Sequence, residues 1–336
     1  MRVHMPIIRD ILHGAVRHGA NFDELLNACG FVPEDLIQSE GSVEFESAQN
    51  VWAESVKRTG DKLLGLHLGS AVSPTMIGLT GHLMQTSATL KDALANVCNF
   101  NELFTDMFFY SLESQGDEYY FGIEPAAGWV SQFPDTALQA RDQAATGVLN
   151  VCRHLIGKSV NASRVMFREK RPLNFLEYES ELGCPVIFSS KANAVVFPRK
   201  ALDQQVSSQD AGLYQLFNEM LSKQMRQARQ RITFSQLVSS RLDQIYGLLI
   251  PSVSVIAFQF NMTARTFQRK LAEESTTYRQ IVDDHRGRIA TSLLKGRASI
   301  KSVSSMLGYS DPSTFRRAFK KWLNENPKTY KKRMSS

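Results

Sequence analysis

Cysteine is scarce in this chain. Its four cysteines, Cys29, Cys98, Cys152 and Cys184, are spread through 336 residues without paired spacing. That excludes a disulfide framework and a zinc site of the usual paired-cysteine kind, and leaves buried free thiols as the expectation. Long apolar runs are lacking too. No stretch approaches the roughly 18 apolar residues that a bilayer span requires, and no apolar run follows the basic residues at the start. The expected setting is therefore the cytoplasm, with no membrane partner. Catalytic signatures are also missing. There is no GxSxG, no GxxxxGK[ST], no GxGxxG behind a strand and no HExxH, and GLHLGS at residues 65–70 has its two glycines at the wrong interval for a phosphate loop. His67, His82 and His154 stand alone in the sequence. The chain is expected not to be an enzyme, with no catalytic residues, no cofactor and no metal.

What is present is a charge division. Residues 231–336 carry 19 Lys or Arg against 7 Asp or Glu, whereas residues 1–230 carry 20 against 26. The overall +6 hides a basic C-terminal part and an acidic N-terminal part. A basic domain of this size is an electrostatic footprint for nucleic acid.

The stretch GYSDPSTFRRAFKKW, residues 308–322, sharpens that reading. As a helix starting near Asp311, it aligns Phe315, Ala318, Phe319 and Trp322 on one apolar stripe. The other face carries Ser313, Thr314, Arg316, Arg317, Lys320 and Lys321, with no acidic residue among them. Asp311 suits an N-cap and Pro312 the first helical position. Upstream, Ile300, Val303, Met306 and Leu307 form a second stripe that ends at Gly308, where a left-handed residue would close the helix. Two short helices meeting at a glycine turn read as a helix-turn-helix, whose second helix enters the DNA major groove.

The pattern occurs twice. In VSVIAFQFNMTARTFQRKLAEES, Ile256 and Ala257 precede a turn at Asn261-Met262-Thr263, and a helix with Arg265, Phe267, Gln268, Arg269, Lys270 and Leu271 follows. Asn261 precedes Gly308 by 47 positions and Phe267 precedes Phe315 by 48. Asn replaces Gly sensibly, because it tolerates the left-handed backbone. Between the units, Tyr278 to Gly296 reads as one helix with Ile281, Ile289, Leu293 and Leu294 along it and Gly287 as a tolerated flaw. A rigid connector can hold two readers about 34 Å apart, on successive major-groove segments.

These residues resemble the DNA-binding domain of the AraC/XylS family of bacterial transcription regulators. The matching segments are TARTFQRKL, Arg286 to Leu294, and SIKSVSSMLGYSDPSTFRRAFKKW followed by Pro327 and Tyr330. Departures from the family pattern are Asn261, Phe258, Asn326 and Lys331. The resemblance implies double-stranded promoter DNA and RNA polymerase as partners, activation as the usual sign of regulation, and a homodimer as a candidate state. Base reading is expected from Arg265, Gln268 and Arg269, since Arg suits guanine and Gln adenine. The second unit, richer in cations, is expected to supply more backbone affinity, with Lys320 and Lys321 as phosphate clamps.

The first part of the chain reads as α+β. Helices are expected in HMPIIRDILHGAVRHG, NFDELLNACG, SAQNVWAESVKRTG and DTALQARDQAATGVLNVCRHLIG, a hairpin around Gln115-Gly116-Asp117, and further strands in SRVMFREKRP and CPVIFSSKANAVVF. VPEDLIQSEGSVEF, TGDKLLGLHLGS and ELGCPVIFSSKANAVVFPRKALD resemble the arabinose-binding-like N-terminal domain found in a branch of the same family. That resemblance implies a sensing or dimerising domain controlled by a small-molecule effector, with cofactor-binding residues unknown. The aromatics Phe104, Phe108, Phe109, Tyr110, Tyr119, Tyr120, Phe121, Trp129 and Phe133 could line a pocket or form core.

The expected architecture is an α+β N-terminal sensing domain over residues 1–210, a helical linker over 211–233, and an all-α DNA-binding domain over 234–336 with two helix-turn-helix units joined by a long helix. In the linker, Leu213, Leu216, Phe217, Met220 and Leu221 share a stripe that either pairs with a second copy or docks on its own domain. Two alternatives to an effector-controlled activator stay open: a protein-interaction adaptor whose basic helices bind acidic partners, and a constitutive DNA-binding regulator without an effector.

Overall fold

The computed structural model describes residues 2–37, 41–157, 160–231, 233–246, 250–295 and 298–334. It forms two compact units, one of Met1–Pro125 with Asp135–Arg229, the other of Ala126–Pro134 with Gln230–Ser336. Among the described residues no helix is long and apolar enough to cross a membrane.

The first unit opens with β1 (Arg2–His4), α1 (Met5–Arg17), α2 (Phe22–Cys29), α3 (Pro33–Ile37), β2 (Ser42–Glu44) and α4 (Phe45–Thr59), with β1 and β2 antiparallel. In α1 the spacing of Ile8, Ile11, Leu12 and Ala15 makes one stripe, and all four are buried. Helices α5 (Leu64–Gly69), α6 (Leu79–Thr86) and α7 (Leu90–Asn99) follow. The two-residue turn between β3 (Phe108–Gln115) and β4 (Glu118–Pro125) has Gly116 at φ +59°, the sign that the first position of a type II′ hairpin turn demands.

After β4 the chain contributes α8 (Ala127–Gln132) to the second unit. It then continues the first with α9 (Pro134–Ile156), β5 (Arg164–Met166), α10 (Phe175–Leu182), β6 (Val186–Ile187), β7 (Ala194–Pro198), α11 (Arg199–Leu202) and α12 (Ala211–Arg231). The five-stranded sheet runs β3-β4-β7-β5-β6, antiparallel except where β6 lies parallel to β5. Strand β4 alternates, burying Tyr119, Phe121 and Ile123. Tyr110 stacks between Phe108 and Phe121, with ring centroids 5.8 and 5.7 Å away. The aromatic strands of this unit thus feed its core, while Phe109 points outward at 57% exposure. On α9 the buried Arg141 lies over the Phe167 ring and bonds Asp142 and Glu169, and Asp142 also accepts from the Tyr178 hydroxyl at 2.8 Å. Burial raises the Asp142 carboxyl pKa above its ordinary value despite the adjacent guanidinium.

The GLHLGS glycines serve packing. A methyl at Gly65 would lie 1.9 Å from the Gln139 carbonyl oxygen, and one at Gly69 would lie 2.4 Å from Thr146 Cβ. Only glycine lets α5 approach α9 this closely. Gln139 secures the contact by accepting from Gly65 N–H and donating to the Lys62 carbonyl, both at 2.7 Å.

In α12 the buried face differs from the expected stripe. Tyr214, Phe217, Leu221 and Met225 pack with Leu79, Leu83, Phe100 and Leu103, whereas Leu213, Leu216 and Met220 are exposed. The spacing of the apolar residues allowed either face; the larger aromatic rings occupy the docked one.

Among its described residues the second unit has helices joined by turns and no strand: α13 (Phe234–Arg241), a π-helical turn over Leu242–Tyr246, α14 (Val253–Gln259), α15 (Ala264–Glu273), α16 (Tyr278–Lys295), α17 (Ile300–Met306), α18 (Pro312–Leu323) and α19 (Pro327–Met334), with α8 packed on the π-helical turn and α16. Gly296, the expected end of the connector, lies outside the described residues.

Candidate nucleic-acid interface

Two helix pairs build the candidate interface, α14 with α15 and α17 with α18. In the first, Ser252 and Thr263 cap their helices by accepting from the N–H groups of Val255 and Thr266. Asn261 takes the turn at φ +53°. Ile256, Ala257, Phe267 and Leu271 are fully buried, and Phe234 meets the Phe260 and Phe267 rings edge-on, each 5.3 Å away. Opposite the apolar stripe, Arg265, Gln268 and Arg269 are all exposed.

The second pair repeats this plan. Gly308 turns at φ +76°, and Asp311 caps α18 by accepting from Ser313 N–H, Thr314 N–H and the Thr314 hydroxyl at 2.8, 2.9 and 2.6 Å. Those bonds, the Thr314 hydroxyl first among them, hold the Asp311 carboxyl pKa below its ordinary value. Phe315 and Phe319 are fully buried against Val303, Leu307 and Tyr330. Ser313, Arg316, Arg317, Lys320 and Lys321 are exposed, and Thr314 is half-buried with its hydroxyl committed to the cap.

One helix serves both cores. Tyr278, Ile281 and Val282 of α16 belong to the first cluster, and Ile289, Ala290, Leu293 and Leu294 to the second. Its 18 residues give a rod of about 27 Å. The rod is pinned along its length. His285 Nδ1 lies 2.7 Å from Asp243 Oδ1, and Arg288 donates to Asp243 Oδ2 at 2.9 Å. Burial alone would raise the Asp243 carboxyl, but the His285 hydrogen bond and the Arg288 charge outweigh it and hold its pKa low. At the other end of the first pair, Glu274, just past α15, accepts from the Phe234 and Ser235 N–H groups that open α13.

Three features of this face come from tertiary placement and were not found from sequence. Lys321 Nζ stands 3.1 Å from Asp283 Oδ2 on α16, so the acidic partner absent from its own helix is supplied by another. Arg279 and Arg286 join Gln268 along a groove of about 510 Å³ beside α15. Arg286 also lies 5.6 Å from the Tyr309 ring centroid, next to the second turn. Their spacing along α16 marks both as ordinary polar positions; only the fold sets them beside Gln268.

Residues 19–206 match the arabinose-binding domain of AraC transcription regulators, and residues 256–333 match a helix-turn-helix domain. The ornithine utilization regulator of Pseudomonas aeruginosa is 23% identical over 332 residues, covering 96% of this chain and 94% of its own. An uncharacterized HTH-type transcriptional regulator of Mycobacterium tuberculosis is 32% identical over 149 residues, 44% of this chain; the match spans 43% of that regulator, less than half its length. The crystal structure of the transcriptional regulator CdpR from Pseudomonas aeruginosa aligns over 92% of this chain and 96% of its own, at 22% identity and a TM-score of 0.44. With an arabinose-binding-type N-terminal domain over more than half of its length and a helix-turn-helix domain behind it, the chain belongs to the AraC family of transcription regulators.

Proposed function

We propose that the protein is a sequence-specific, cytoplasmic DNA-binding activator that places α15 and α18 in successive major-groove segments of promoter DNA. The observation that carries this reading is the sharing of α16 between two cores, each of which presents an exposed cationic helix. In this reading Arg265, Gln268 and Arg269 read base edges, because their planar donors and acceptors can pair bidentately with guanine or adenine. Ser313, Arg316, Arg317 and Lys320 bind phosphates and fix register. Lys321 contributes less, since Asp283 already offsets its charge. Thr314 acts through the cap.

In this reading residues 1–210 sense and dimerise, 234–336 bind DNA, and 211–233 link them, most of that helix being docked on the first unit. A small molecule controls the first domain, and RNA polymerase is the downstream partner. The name of the Pseudomonas relative matched over nearly the whole chain, a regulator of ornithine utilization, favours a small metabolite as effector. Footprinting on a site obtained by in vitro selection tests the reading. Protection of two groove segments on one DNA face, persisting at moderate salt, is the expected result. A diffuse, fully salt-labile footprint would instead fit a basic adaptor, and an unchanged footprint across metabolite classes would fit a constitutive regulator.

A further inference from the structure

The first unit gathers two histidines and a carboxylate that the DNA-binding reading does not use. His18 closes α1, Asp61 follows the left-handed Gly60 that ends α4, and His67 sits on α5. One donor atom from each of the three lies within 4.8 Å of those of the other two. Asp61 Oδ2 stands 2.7 Å from His67 Nδ1 and 3.8 Å from His18 Nδ1. The two imidazoles are nearly parallel, 3° apart, with centroids 6.0 Å from each other.

We propose that His18, Asp61 and His67 form a binding site for a divalent transition-metal cation of the zinc class. Around a tetrahedral zinc with bonds of about 2.0–2.2 Å, neighbouring donor atoms stand roughly 3.3 Å apart. The 2.7 and 3.8 Å separations bracket that value, and the two imidazole nitrogens, within 4.8 Å of each other, close on the ion once one of the parallel rings turns its in-plane lone pair toward it. Mixed imidazole and carboxylate donors favour zinc, nickel and copper over magnesium or calcium, which prefer oxygen alone.

The surroundings hold these donors in place. Asp61 Oδ1 accepts from Leu63 N–H at 2.9 Å, which leaves Oδ2 for both histidines. His67 rides on α5, locked to α9 by the glycine contacts at Gly65 and Gly69. Its other ring nitrogen, Nε2, lies 3.2 Å from Glu177 Oε1 on α10. A metal-bound histidine commonly donates its second N–H to a carboxylate, which fixes its tautomer and strengthens it as a ligand. Glu177 is placed for that role. His18 is 37% exposed, so the coordination position beside it opens to solvent. A bound ion would tie the end of α1 to α5.

Zinc(II) and cobalt(II) titrations of the full, tag-free, chelator-stripped chain test this, by calorimetry and by visible absorption. The expected result is one ion per chain and a tetrahedral cobalt spectrum without thiolate charge-transfer bands. His18→Gln and His67→Gln should each weaken binding by at least roughly tenfold, and Glu177→Gln by less than either. Circular dichroism of the metal-free variants controls for folding; should His67→Gln unfold, the more exposed His18→Gln decides. Absence of stoichiometric binding, affinity unchanged in the histidine variants, thiolate bands, or equal affinity for magnesium would overturn the proposal.

Discussion

Asn261 and Gly308, 47 positions apart, occupy equivalent turns and share a left-handed backbone, with φ +53° and +76°. A methyl at Gly308 would meet nothing within 4 Å, so the backbone alone sets the cost of a side chain there. Gly308→Ala should lower the stability of the second unit by about 1–2 kcal/mol, and Asn261→Gly should be neutral or slightly stabilising. Urea denaturation followed by helix signal measures both; a neutral Gly308→Ala would contradict the turn geometry.

Gly287, in the middle of α16, makes the opposite case. Its φ is helical, and an added Cβ would lie 3.6 Å from Trp322 Cβ, an ordinary contact distance. Gly287→Ala should stabilise the second unit by about 0.5–1 kcal/mol, because helix-interior glycine costs backbone entropy that alanine does not. A raised denaturation midpoint with unchanged slope is the expected outcome, and a lowered midpoint would mean that Trp322 cannot accommodate the methyl.

Asp243 should give the second unit an acid-sensitive anchor. Its carboxyl pKa is lower in the folded state than in the unfolded chain, so the unfolded state takes up the proton first as pH falls. The stabilisation is therefore complete above the unfolded pKa of roughly 4 and is lost as pH drops through the folded value. Asp243→Asn should cost about 1–3 kcal/mol at neutral pH and should flatten this part of the acid dependence. Equal acid sensitivity in wild type and variant would assign it to other carboxylates.

The legible parts of this protein were those where backbone conformation restricts residue choice. A left-handed turn admits Gly or Asn, a cap needs Asp or Thr, and the first helical position accepts Pro, so Gly308, Asn261, Asp311 and Pro312 marked both helix pairs without any tertiary knowledge. Residues brought together only by folding left no such mark. His18, Asp61 and His67 come from three separate elements, and Asp283 reaches Lys321 across 38 residues. The docked face of α12 was ambiguous for a different reason: its helix is apolar on two sides, and the docked choice depends on the partner helices.

Lys320 and Lys321 are adjacent yet should behave differently on DNA. Lys320→Ala should reduce the slope of log K against log salt by about 0.9, the release of one counterion. Lys321→Ala should reduce it by less, because the ammonium already faces Asp283 at 3.1 Å. Equal slope changes would mean that DNA draws Lys321 away from its partner.

The central claim is that α16 couples two readers by sharing its residues between both cores, and an insertion in that helix tests it most directly. Gly-Gly-Ser placed after the exposed Arg288 separates the Tyr278–Val282 contacts from those of Ile289–Leu294 while keeping His285 and Arg288 on the same side as Asp243. A flexible tether loses the effective concentration that a rigid one provides. Affinity for the selected site should fall at least tenfold, about 1.4 kcal/mol, while affinity for random DNA and helix content by circular dichroism stay near wild type. Undiminished affinity for the selected site would contradict the account, because one helix pair would then carry recognition alone.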